Sequence, residues 1–221
     1  LYDPAPFRFR GDHPRLRTYS EFFTDTVAAS WKGRCDIFIC DIRLVNEGQT
    51  NVGFETQVFK DMQVQDRWSR LMEPRRGSIL KFRPPYMNEA WSTLQSDTFE
   101  YVKGRVMWQV WPPRMSTEGR LIVEAADSTL SAPPMAYNAT RHENLCYSHN
   151  AITRPWARYD GDDLSKTIEG FDRGFDASLE AWGWAQYVKL PGSRIETVAA
   201  GMKRLTDAIG QRLVGDQPTY N

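Results

Sequence analysis

The run Asp36-Ile37-Phe38-Ile39-Cys40-Asp41 constrains the fold more than any other stretch of this chain. It is short, β-branched and apolar at consecutive positions. It therefore reads as a buried strand of a parallel sheet, with Asp41 at its carboxyl end. One helical crossover separates it from the next strand. Phe54, Val58, Met62, Gln65, Trp68 and Met72 recur at near-helical spacing, and Glu73-Pro74-Arg75-Arg76-Gly77 ends that helix. Ser78-Ile79-Leu80-Lys81-Phe82-Arg83 follows as a second strand, broken by Pro84-Pro85.

Residues 4–20 are rich in Pro, Arg and Asp and read as loop, residues 21–31 as a short helix, and residues 46–51 as a turn. Residues 87–103 read as helical in part, and residues 106–110 and 120–124 as strands. From Asp36 onward the order is strand, helix, strand, helix, strand, strand. That order suits a doubly wound α/β sheet ending in an antiparallel pair. Residues 125–165 are loop-rich, with Pro133-Pro134 and Arg154-Pro155. Two helices are expected after them. One lies near 162–188, with Phe171, Phe175, Leu179 and Trp182; the other lies near 193–213, with Ile195, Val198, Met202, Leu205 and Ile209. The expected division is a core over 1–125 and a loop-rich, helical extension over 126–221.

Composition narrows the function classes. Over 221 residues the formal net charge is +0 and the pI about 7.0, so any surface for a polyanion must be local. The eight tryptophans read mainly as core residues. Three cysteines without regular spacing argue against a disulfide framework, and Cys35 and Cys40 read as buried thiols. His13, His142 and His149 are scattered, no Cys/His pair has zinc-ligand spacing, and no metal is expected. Neither a signal-peptide pattern nor a bilayer-length apolar stretch is seen in these 221 residues, so a reducing intracellular location without membrane partners is expected. Leu1-Tyr2-Asp3-Pro4 reads like the end of a strand, as though the chain were part of something longer.

Ligands of a doubly wound sheet bind outside the carboxyl ends of its strands. Asp41 occupies such an end, Lys81 falls on the next strand, and Glu118 precedes a later one. A lysine among Ile79, Leu80 and Phe82 is costly to bury without a partner or a task. Burial favours the neutral amine, which can take or direct a proton. Each residue alone has a plainer role: Asp41 capping a turn, Lys81 snorkelling to solvent, Glu118 on the surface. The ordered triple points to one site.

Asp41-Ile42-Arg43 closing a strand, a lysine some forty residues on within a strand, and Glu118-x-Arg120 before another strand form a pattern. It resembles the cap ribose 2'-O-methyltransferases of poxviruses and double-stranded RNA viruses. The resemblance covers roughly residues 1–125. It implies a Rossmann-like methyltransferase sheet, S-adenosylmethionine as cofactor, capped mRNA as substrate and a Lys-Asp-Lys-Glu tetrad. Asp41 would be the tetrad Asp, Lys81 the second Lys and Glu118 the Glu; Arg120 fits the poxvirus-like pattern. Lys81 would activate the ribose 2'-hydroxyl, with Asp41 and Glu118 orienting it. On the cofactor side, Asp3 would meet the ribose hydroxyls and Phe22 or Phe23 would flank the adenine, though either phenylalanine also suits the core.

Arginines crowd the stretch 60–115, with Tyr86, Trp108 and Trp111 among them, a composition suited to an RNA groove. Arg43, Arg83, Arg114 and Arg120 are the expected RNA contacts, whereas Arg67 and Arg70 equally fit a solvated helix face paired with Asp. Tyr137, Tyr147 and Trp156 could stack on a methylated guanine. The family's Gly-rich cofactor loop and first Lys would lie upstream of Asp3, and Gly48 and Gly53 do not follow a strand. The sheet is therefore expected to be incomplete at its N-terminus. The remaining segment or other domains of a viral capping protein would be partners, in the host cytoplasm or the virion. The alternative is a non-catalytic RNA-binding or structural methyltransferase-like domain in a capping assembly.

Overall fold

Thr24 opens the first helix, α1 (Asp25–Ser30), by accepting the Val27 N–H on its hydroxyl, which satisfies one of the helix's orphan donors. The computed structural model describes residues 1–7, 14–44, 50–86, 96–159 and 174–215. They form two compact units, Leu1–Gln109 with Thr117–Asn144, and Val110–Ser116 with Leu145–Asn221.

In the first unit, β1 (Phe38–Cys40) leads to α2 (Asn51–Met72), capped by the Thr50 hydroxyl. Glu73 ends α2 in the left-handed region at φ 44°, and Pro74 prevents its continuation. Then come β2 (Ser78–Phe82), β3 (Thr98–Val102), β4 (Arg105–Trp108), β5 (Gly119–Val123) and β6 (Pro134–Asn138). Helix α3 (Ala139–Ser148) carries the chain into the second unit. There a π-helical turn (His149–Thr153) precedes α4 (Gly174–Tyr187) and α5 (Val198–Gly215).

The fold is mixed α/β. Four strands make one sheet in the order β1-β2-β5-β4, and β3 pairs with β6 in a second. β1 and β2 are parallel, joined across α2, while β5 runs antiparallel between β2 and β4. The crossover from 36 to 83 and the antiparallel pair at the end of the sheet are thus both present. The inner face of the sheet packs Phe38, Cys40, Leu80, Phe82, Leu121 and Val123 with Met62, Trp68 and Met72 of α2. Gly77, at φ 107°, lies so close to β5 that a Cβ there would clash with the Val123 carbonyl oxygen.

The structure corrects several expectations, the first being that the run 36–41 is buried throughout: among the described residues β1 is an edge strand, and Ile37 and Ile39 are exposed. Residues 98–102 form a strand rather than helix, and residues 87–95 lie outside the described residues. The supposed loop after 125 contains β6 and α3. β3 and β6 pair across a wide sequence gap, Tyr101 opposite Met135, and Pro134 sits at the first position of its strand, where a missing N–H is tolerated. Leu205 on α5 is exposed rather than packed, and Cys35 is half-buried. Among the described residues no helix is long and apolar enough to cross a membrane.

Candidate active site

Because β1 and β2 are parallel, their carboxyl ends lie at one edge of the sheet, and antiparallel β5 begins at that edge. Asp41 follows β1, Lys81 is the penultimate residue of β2, Glu118 immediately precedes β5 and Arg120 is its second residue. Lys81 and Arg120 stand directly opposite each other in the ladder. Two like charges so placed repel. The two carboxylates resolve the conflict.

Lys81 Nζ lies 3.3 Å from Asp41 Oδ1 and 3.3 Å from Glu118 Oε2. Arg120 reaches the same two carboxylates, with Nη2 3.0 Å from Asp41 Oδ1 and Nη1 3.1 Å from Glu118 Oε1. The four side chains close a ring of alternating charge. Gln109 Nε2 donates to Glu118 Oε1 at 2.9 Å and braces it. Burial pushes the Glu118 carboxyl upward, but the Gln109 hydrogen bond, Lys81 and Arg120 outweigh it and hold the group below the usual carboxylate range. The Lys81 side chain is 14% exposed and that of Asp41 60%, so the ring is open to solvent on the Asp41 side. No family model and no curated protein matches the chain.

The structure thus brings together Asp41, Lys81, Glu118 and Arg120. The other expected site residues lie in varied surroundings. Arg43 is half-buried, with Nη2 lacking a hydrogen-bond partner among the described residues. Burial pulls its guanidinium below the ordinary value, against the attraction of Glu118. Arg83 turns inward and makes two 2.8 Å hydrogen bonds to Glu55, with Tyr86 stacked on its guanidinium at 4.1 Å. Arg114 is exposed in the Val110–Ser116 segment. Arg67 pairs with Asp25 on the helix surface, whereas Arg70, paired with Asp66, is largely buried and also donates to the Thr129 and Ala132 carbonyls, so it does not lie on the solvated face expected. Tyr137 packs against the core and donates its hydroxyl to the Val102 carbonyl, while Trp156 is 81% exposed.

The three residues expected on the cofactor side lie in different surroundings. Asp3 is exposed, but one carboxylate oxygen accepts the Ala5 N–H in a local turn. Phe23 is wedged between Tyr2, Phe38 and Trp68, and Phe22 is exposed. Among the described residues no glycine turn follows the carboxyl end of a strand and opens a helix, the arrangement a nucleotide-like cofactor needs. Nor does any group of three His, Cys, Asp or Glu side chains there suit a metal ion.

Sequence reasoning missed Gln109, Glu55 and Gln65 as partners of the site. Gln65 left a trace, a polar residue inside an otherwise apolar helical stripe.

Proposed function

We propose that the chain carries the ribose-activating side of an S-adenosylmethionine-dependent methyltransferase acting on the 2'-hydroxyl of capped mRNA, within a larger viral capping protein. The observation that supports this is the Lys81 amine held 3.3 Å from each of two carboxylates at the carboxyl end of parallel strands. That arrangement agrees with the resemblance in motif order, spacing and strand position. It also agrees with a doubly wound, Rossmann-like methyltransferase sheet, of which β1, β2, β5 and β4 would be one side.

An amine held by two carboxylates has its direction fixed. A hydroxyl hydrogen-bonded to it is aligned, and once the ammonium has given its extra proton to solvent the neutral amine can take the hydroxyl proton as the oxygen becomes a nucleophile. Asp41 and Glu118 orient Lys81, and Arg120 balances their charge. Arg120, at the same edge as Lys81, would meet an RNA phosphate. The roles these residues support end at the hydroxyl. The second reading is a non-catalytic RNA-binding or structural domain of the same fold. On the first reading the partners are capped RNA and the rest of the capping protein, in the host cytoplasm or the virion.

Lys81→Ala in the full-length protein, assayed for methyl transfer to capped RNA, separates the two. On the catalytic reading activity falls by at least about 100-fold, the range for losing a general base, while folding is kept. Undiminished transfer by Lys81→Ala overturns that reading, and a wild-type protein that binds capped RNA without transferring methyl groups supports the second.

A further inference from the structure

Helix α2 carries a row of buried polar side chains where an apolar ridge would pack more simply. Glu55 is 4% exposed, Asp61 1% and Gln65 0%. A buried polar group is costly unless bonded, so the partners explain the row. Glu55 accepts the Tyr86 N–H at 2.9 Å, Asp61 the Leu44 N–H at 2.9 Å, and Gln65 Oε1 the Lys81 N–H at 3.0 Å. All three donors are main-chain groups at or just beyond the carboxyl ends of β1 and β2. The helix thus grips the backbone that bears the charge ring.

The Gln65 contact falls where the sheet stops helping. The ladder between β1 and β2 ends at Cys40 opposite Leu80, one residue short of Lys81. Among the described residues only β5 continues alongside, with Arg120 opposite Lys81. Yet the Lys81 amine must meet carboxylates from two separate segments, Asp41 after β1 and Glu118 before β5. Such a two-sided contact tolerates roughly 0.5 Å of error in the supporting backbone. With Oε1 fixed on Lys81, the Gln65 Nε2 group is left buried without an acceptor among the described residues. The contact to Lys81 is the one bond this amide makes in the described structure.

We propose that Gln65 is a positioning residue for Lys81, fixing the end of β2 so that the amine meets both carboxylates. The proposal rests on the catalytic role given to Lys81 above. It is tested in the full-length protein with Gln65→Leu, which keeps the bulk and removes the acceptor, and Gln65→Glu, which keeps an acceptor at the same reach. Misplacement on the ångström scale can lower a rate by up to about 100-fold. Gln65→Leu is expected to lower kcat by roughly 10- to 100-fold with KM for capped RNA within about twofold of wild type. Gln65→Glu is expected to recover most of that loss. Amide hydrogen exchange supplies a readout independent of activity: in Gln65→Leu the Lys81 amide loses protection while Ile79 and Leu121 keep theirs. Unchanged kcat in Gln65→Leu, where Lys81→Ala is inactive, would overturn the role. So would unchanged Lys81 protection, or loss of protection across the whole sheet in both variants. Full activity in Lys81→Ala would instead remove the catalytic reading, and the exchange result would still report whether Gln65 holds the strand end.

Discussion

Removing the Glu55 carboxylate should be among the most damaging single changes in the first unit. Glu55 is 4% exposed, and Arg83, which it grips through two 2.8 Å hydrogen bonds, has a side chain only 11% exposed. Burial alone would lower the Arg83 guanidinium, but Glu55 and then Tyr86 outweigh it and raise it, so the arginine stays charged at every accessible pH. Glu55→Ala therefore strands a buried cation and also orphans the Tyr86 N–H. Breaking a buried pair by deleting one partner costs about 3–5 kcal/mol. At roughly 2–4 °C per kcal/mol for a chain of this size, Tm should fall by roughly 6–20 °C. The cost comes mainly from the stranded charge, so Glu55→Leu combined with Arg83→Met should be markedly less damaging than Glu55→Leu alone. Urea unfolding of the wild type, both single variants and the double variant closes the cycle. A single-variant loss below about 1 kcal/mol, the level of an exposed pair, or strict additivity of the two changes, would refute the reasoning.

Two further outcomes follow from the same first unit. Gly77→Ala sets a methyl group against the Val123 carbonyl in a left-handed backbone conformation, and should cost of order 3 kcal/mol in unfolding free energy; a neutral result would mean β2 and β5 can part freely. Glu118 has a folded carboxyl below its ordinary value of 4.5, so its contribution is fully present above that value and is lost as pH falls through the folded one. The stability gap between wild type and Glu118→Gln should accordingly shrink as pH falls from about 4.5 through the folded value, and a gap independent of pH would contradict the ion-pair geometry.

Legibility followed sequence distance. Asp41 and Lys81 were readable because each sits in a local apolar run, and the rule that parallel strands present their carboxyl ends together brings them to one edge. Glu118 was readable through its neighbour Arg120. The inward turn of Arg83 was hidden, because its partner Glu55 lies on the first turns of a helix and looks like any solvated helix acid. β3 was hidden for a related reason: its stability comes from pairing with β6 across a long gap, and Pro133-Pro134 disguises that partner as loop. Gln65 stood in the apolar stripe for all to read, but its use depends on where the β1–β2 ladder stops, which only the register reveals.

The charge ring also governs how a polyanion senses this edge of the protein. Lys81 and Arg120 against Asp41 and Glu118 sum to zero, so the intact ring releases no net counterions when a phosphate backbone arrives. If the protein binds RNA as proposed, the salt dependence of that binding would then arise from exposed arginines elsewhere. Any single neutralisation breaks the balance: loss of Lys81 leaves a net negative rim that repels phosphate, and loss of Asp41 leaves a net positive one that attracts it. On the RNA-binding proposal, affinity would therefore move in opposite directions for the two substitutions whatever chemistry the amine performs, and only a paired change that keeps the sum at zero would isolate the amine's own contribution.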